Sequence, residues 1–205
     1  VARLFASVRE TFAAKHGIIP GARVGIVAFG KMASREMTAT SDLDFILLYD
    51  MPEGTVGSDG ERSLDPATYF TRLTQRFLAA LSAPTAEGVL YEVDMRLRPS
   101  GNAGPLATSL NRFRSYQRDE AWTWEHLALT RARVVLADGD LGATIEEEIA
   151  AVMALPRDRN KIVTEVLEMR ALMARERPPR HAFDLKLHDG GLVDLEFMAQ
   201  AAQLL

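Results

Sequence analysis

The sequence predicts an α+β chain: a strand-and-helix unit over about 20–107, followed by a helical unit over about 108–205. Two patterns carry this reading. Short apolar runs bounded by turn residues interleave with helical spacing as far as Leu97, and from Ser109 onward helical spacing alone recurs. With 205 residues, 47% of them hydrophobic, the chain can bury one sizeable core or two small ones.

The elements follow in order. Leu4, Phe5, Val8 and Phe12 recur at helical spacing, and His16-Gly17 followed by Pro20 ends that helix. Val24 to Phe29 reads as a buried strand, Met32 to Met37 as a short helix or turn, and Leu43 to Tyr49 as a second strand. Met51 to Arg62 is rich in Gly, Ser and Asp and reads as an exposed loop. Asp65-Pro66 supplies the cap and first turn of a helix running to about Leu81, with Phe70, Leu73, Phe77 and Leu81 on one face. Val89 to Leu97 reads as a third strand with polar residues alternating along it, and Pro99 to Pro105 as a loop. Helices are then predicted at about 109–119, 121–136, 140–154 and 159–176, with a turn at Lys186 to Gly191. Val1 to Phe5 looks like the inside of a helix and Phe197 to Leu205 like one cut short, so the expectation is a piece of a longer protein.

Composition excludes several classes. The net charge of −4 argues against a nucleic-acid binder. Cysteine is absent, which removes disulfides and thiolate metal sites and fits a cytoplasmic protein. No apolar run approaches the roughly 20 residues that span a bilayer, and no signal-peptide pattern is present.

The stretch from Gly30 to Asp44 is the most informative. Asp42 and Asp44 lie one residue apart at the head of an apolar strand and so share a face. Two carboxylates on one face repel unless a cation sits between them. Asp94, in Glu92-Val93-Asp94-Met95-Arg96, lies on a strand able to pair beside them and complete a three-carboxylate cage for two divalent ions. Glu92 points the same way as Asp94 and competes for that role. Hard oxygen ligands suit Mg²⁺ or Mn²⁺. Gly30 opens the short helix after the first strand, where backbone N–H groups can grip phosphates, and Lys31 and Ser34 offer further donors. Arg96 and Arg98 either meet phosphate or balance the nearby acids. Trp122, His126 and Leu129 share a helical face, with Arg131 and Arg133 beyond it as further candidates for phosphate contact. Asp194 and Glu196 read as helix-start carboxylates, and Glu36 is equally a surface or a site residue.

An apolar strand, Gly30, about ten residues, Asp42-Leu43-Asp44 and a later Asp94 resemble the nucleotidyltransferase superfamily, whose fold is that of DNA polymerase β. Longer strings narrow this. Arg35-Glu36-Met37-Thr38, Ser41-Asp42-Leu43-Asp44, Val93-Asp94-Met95-Arg96-Leu97-Arg98-Pro99, Ala121-Trp122-Thr123-Trp124-Glu125-His126 and Gly191-Leu192-Val193-Asp194-Leu195-Glu196-Phe197 resemble glutamine synthetase adenylyltransferase over nearly the whole chain. Three of them look like its C-terminal, AMP-attaching half. One departure is the turn after Gly30-Lys31, where the family often has further glycines and this chain has Ala33 and Ser34.

The resemblance implies a small mixed sheet with flanking helices over 1–107 as the catalytic domain, and a helical bundle over 108–205. It implies transfer of AMP from ATP to a tyrosine of glutamine synthetase, with pyrophosphate released. Asp42, Asp44 and Asp94 would be the catalytic and metal-binding residues, and Gly30, Lys31, Ser34, Ser41, Arg96 and Arg98 the ATP-binding ones. Asp94 would hold the ion nearest the tyrosine oxygen and is the candidate to take its proton. Glutamine synthetase and a small trimeric nitrogen-signalling protein are the implied partners. The phosphorolytic, AMP-removing half of the same enzyme, a nucleotide-sensing module of the same fold, and uridylyl transfer stay open as alternatives.

Overall fold

The computed structural model describes residues 1–86 and 88–205. At its centre is a five-stranded mixed sheet. Strand β1 (Arg23–Ala28) pairs antiparallel with β2 (Leu43–Asp50) in an unbroken register from Arg23↔Asp50 to Ala28↔Phe45. Both strands are continuous apolar runs because helices cover both of their faces. On one face Ile26, Ala28, Phe45 and Leu47 meet α1 (Ala2–His16) and α3 (Pro66–Leu81). These two helices run antiparallel: Phe5 meets Phe77 edge-on at 5.0 Å, and Phe12 meets Tyr69 at 5.1 Å. Asp65 caps α3 by accepting the Thr68 N–H at 3.0 Å, with Pro66 in the first turn.

On the other face Val27, Phe29, Ile46 and Leu48 meet α4 (Leu110–Asp119) and α6 (Leu141–Met153). Gly25 faces that layer. A Cβ there would come within 2.6 Å of Ile145 Cδ1, so the absence of a side chain lets Ile145 of α6 pack close to the sheet.

The outer edge of β2 is shared end to end by two short strands. Strand β3 (Val93–Asp94) pairs parallel with its start, and β4 (Ala107–Ser109) pairs parallel with its later half. Beyond β4 come α4, α5 (Thr123–Leu129), β5 (Arg133–Ala137), α6, α7 (Arg159–Glu176) and α8 (Leu192–Leu204). Leu127, Ile162 and Leu204 form a small third core among the last helices.

Two elements depart from expectation. The helix predicted over 121–136 stops at Leu129, and Arg133-Val134-Val135-Leu136-Ala137 instead forms an antiparallel strand on the free side of β1, with a bulge opposite Ile26 and Val27. Pairing with β1 overrides a local pattern that is ambiguous for so short an apolar run. The third strand shrinks to Val93–Asp94, since Val89 and Leu90 are exposed and the chain turns at Arg96. Among the described residues, no helix is long and apolar enough to cross a membrane.

Candidate active site

The candidate site lies where β1 ends and β2 begins. The Phe29 N–H donates to the Asp44 carbonyl at 2.8 Å, so the chain leaves β1 directly over that carboxylate. It turns at once into α2 (Gly30–Ser34). Gly30 has φ 51°, a left-handed conformation, and a Cβ there would sit 2.7 Å from Asp44 Oδ2. Both facts demand glycine. Leu43 is buried, so strand alternation puts Asp42 and Asp44 together on the opposite face; Asp42 is exposed and Asp44 half-buried. On the next strand Asp94 stands directly beside Asp44 in register, and the Leu43 N–H donates to the Glu92 carbonyl at 2.8 Å. A cavity of about 520 Å³ opens here, lined by Asp42, Glu92, Asp94, Arg96 and Arg98 together with the end of α3.

Electrostatics divide the carboxylates. Burial, then the charges of Asp94 and Asp42, push Asp44 up to about 6. Asp94 is held below the usual carboxylate range by Arg96. The Arg96 backbone N–H donates to Asp94 Oδ1 at 2.8 Å, its Nε donates to Oδ2 at 2.7 Å, and a terminal guanidinium nitrogen also reaches Oδ2. So fully engaged a carboxylate is a weak proton acceptor. Among the described residues no three His, Cys, Asp or Glu side chains are drawn close enough to cage a metal ion, and Arg96 supplies the positive charge beside Asp94. The donor chemistry still fits a hard divalent cation, since the site carries three carboxylates with oxygen donors.

The other predicted residues separate by their partners. Arg98 is buried and donates to the carbonyls of Met95 (2.8 Å) and Gly104 (3.4 Å), so it staples the 95–104 loop instead of reaching into solvent. Ser41 is buried and accepts the Thr38 N–H at 2.9 Å, closing the turn before Asp42. Ser34 is exposed, and its hydroxyl donates to Glu36 Oε2 at 2.7 Å. Lys31 is exposed on α2. Trp122 is 70% exposed because it is the cap residue ahead of α5, where helical spacing does not apply; Leu129 on the predicted face is buried. Glu125 is buried, accepting the Trp122 N–H at 2.9 Å and the Tyr116 hydroxyl at 3.0 Å. Asp194 accepts the Gly190 N–H at 2.6 Å and pairs with Arg170, while Glu196 pairs with Arg131 at 3.2 Å.

One functional residue took a role the sequence did not indicate. From β5, Arg133 donates to the carbonyls of Ala33 (2.7 Å) and Met32 (3.0 Å). It braces the C-terminal end of α2, where a cation is favoured, and so holds the Gly30 turn over Asp44. The sequence offers it as a candidate for phosphate contact, and the structure turns it to these carbonyls.

Residues 5–148 match the family model for glutamate-ammonia ligase adenylyltransferase. The chain belongs to that family. It is 56% identical over 204 residues to a bifunctional glutamine synthetase adenylyltransferase/adenylyl-removing enzyme of Brucella suis, which covers all of this chain and 21% of that protein. Proteins of the same description from Mesorhizobium japonicum and Rhizobium meliloti are each 55% identical, over 96% and 98% of this chain and 20% of theirs. The chain therefore spans about a fifth of the length of the curated relatives it matches.

Proposed function

We propose that this chain is an ATP-dependent nucleotidyltransferase unit of the polymerase β type that moves AMP to a tyrosine of glutamine synthetase. The observation that carries the reading is the Asp44↔Asp94 pair in register, roofed by the Gly30 turn. The tyrosine oxygen attacks the α-phosphorus of ATP. A new P–O bond forms, the bond to the β-phosphate oxygen breaks, pyrophosphate leaves, and the hydroxyl proton passes to water. Asp42, Asp44 and Asp94 would hold Mg²⁺ or Mn²⁺, which when bound neutralises charge on the attacking and leaving oxygens. The backbone at the start of α2 lies over Asp44 and is placed to orient the triphosphate, with Arg133 fixing that turn. Arg96 keeps Asp94 charged, so in this reading Asp94 contributes charge and not a proton-accepting function. Residues 108–205 would serve as the helical domain. A trimeric nitrogen-signalling protein would act as regulator, in the cytoplasm.

A second reading is supported by the description of the relatives, which both attach and remove AMP: the same site run with phosphate as the acceptor of AMP. Incubation with α-³²P-ATP, Mg²⁺ and glutamine synthetase is expected to label a tyrosine of the latter. Asp42→Asn and Asp44→Asn are each expected to abolish labelling while leaving the circular dichroism spectrum unchanged. Labelling retained in either variant would refute the assignment of these carboxylates. Release of ADP from adenylylated glutamine synthetase and phosphate, without forward labelling, would establish the removing activity instead. Calorimetric binding of MgATP with neither reaction would mark a sensing module.

A further inference from the structure

A second and larger cavity, of about 950 Å³, runs along the outer side of α1 and α3 and shares no lining residue with the one beside Asp42 and Asp94. Its apolar floor includes Val8, Phe12 and Leu64. Four cations stand around it: Lys15 from α1, Arg62 from the preceding loop, and Arg72 and Arg76 one helical turn apart on α3. All four are exposed, and no ion pair or side-chain hydrogen bond is formed by any of them among the described residues. No Asp or Glu is among the described residues lining the cavity. Elsewhere the arginines are mostly paired: Arg9 with Asp138, Arg23 with Asp50, Arg112 with Glu120. Four unpaired cations gathered on one groove of a chain with net charge −4 are a local reversal of its field.

Shape narrows the ligand. The lining follows α1 from Ser7 to Lys15, which at 1.5 Å per residue is a groove about 12 Å long. Its cations come from three separate segments, α1, the loop before α3, and α3 itself. Ser7 and Gln75 also line the groove and suit a backbone, while the Thr11 and Ser63 hydroxyls already donate to the carbonyls of Ser7 and Ser58. Phe12 is buried in the floor, so it offers no open ring for a base to stack on, which disfavours a single-stranded nucleic acid. The His16 ring, through Nδ1 at 2.8 Å from the Arg62 carbonyl, fixes the loop that brings Arg62 to the rim.

We propose that this groove docks an acidic polypeptide segment, with Asp or Glu side chains on Lys15, Arg62, Arg72 and Arg76 and an apolar side chain on the floor. It is independent of nucleotide chemistry, so its failure and that of the proposed activity read out separately. The probe is a fluorescein-labelled peptide of repeated Glu-Glu-Leu units, titrated with the chain without nucleotide. Anisotropy is expected to rise, and the binding to weaken steeply as salt is raised to about 0.3 M. The double variant R72E/R76E is expected to bind at least about tenfold more weakly, and K15E/R62E, on the other rim, to do the same. Bound peptide is expected to slow hydrogen exchange in α1 and α3. No binding by the unaltered chain, equal binding by both charge-reversed variants, or protection confined to other elements would overturn the proposal. So would displacement of the peptide by inorganic tripolyphosphate or an oligouridylate at lower concentration than by unlabelled peptide.

Discussion

Asp44→Asn is expected to make the chain more stable, with the gain appearing above about pH 4 and complete above about pH 6. In the folded chain the Asp44 carboxyl rises from its ordinary 3.8 to about 6, first through burial and then through the charges of Asp94 and Asp42. The sign follows from proton binding. Between 3.8 and 6 the folded chain holds a proton that the unfolded chain has already lost, so stability falls as pH rises through that window and stays reduced above it. Below 3.8 both states are protonated and the penalty vanishes. At about 1.4 kcal/mol per pH unit the ceiling is about 3 kcal/mol. Asp44 is only half-buried, and solvent screening reduces this to about 1–2 kcal/mol. Asparagine keeps the shape and removes the charge. Urea unfolding followed by circular dichroism should give the variant a higher midpoint at pH 7.5 and an unchanged one at pH 3.5. Millimolar Mg²⁺ should close the gap at pH 7.5 by stabilising the unaltered chain alone. A variant equal to or less stable than the parent at pH 7.5 would refute the claim that the carboxylate is electrostatically strained.

Two further outcomes test the scaffold around that carboxylate. Gly30→Ala should destabilise the chain by about 1–2 kcal/mol from the left-handed backbone alone, and should also displace Asp44, whose Oδ2 a new Cβ would approach to 2.7 Å; both show in urea unfolding and in loss of transfer activity. Arg133→Met should free α2 by removing two charge-assisted hydrogen bonds, so amide exchange across 30–34 should accelerate while β1 and β2 stay protected, and KM for ATP should rise more than kcat falls.

Sequence alone exposed those parts of the fold whose local and tertiary demands agree. Strands β1 and β2 read correctly because both faces are covered, so Val24–Ala28 and Phe45–Tyr49 are runs without a charge, and α3 because its cap, its proline and its buried stripe agree. Strand β5 was hidden because four apolar residues, Val134 to Ala137, look alike in a helix and in a strand until β1 offers its edge. The carboxylate cluster was legible for a geometric reason: period two sets the face of Asp42 and Asp44, and one parallel pairing sets Asp94 beside them. The arginines were legible only as alternatives, of which Arg96 takes the one that balances a nearby acid. Each has a long reach and several acceptors within it, and only the folded chain decides that Arg98 goes to carbonyls, Arg133 to α2, Arg131 to Glu196 and Arg96 to Asp94.

The end-to-end seating of β3 and β4 on one strand has a consequence for how such a site can diversify. The excursion from Met95 to Leu106 leaves β2 at Asp94 and returns to it at Ala107, so both of its ends are clamped to the same rail. Arg98 ties its middle through Met95 and Gly104. Residues can be exchanged along this loop, which borders the cavity where an acceptor would enter, while the spacing of Asp44 and Asp94 is held by hydrogen bonds outside it. The spacing of the two carboxylates is thus set outside the loop, while Arg96 within it sets the charge beside Asp94.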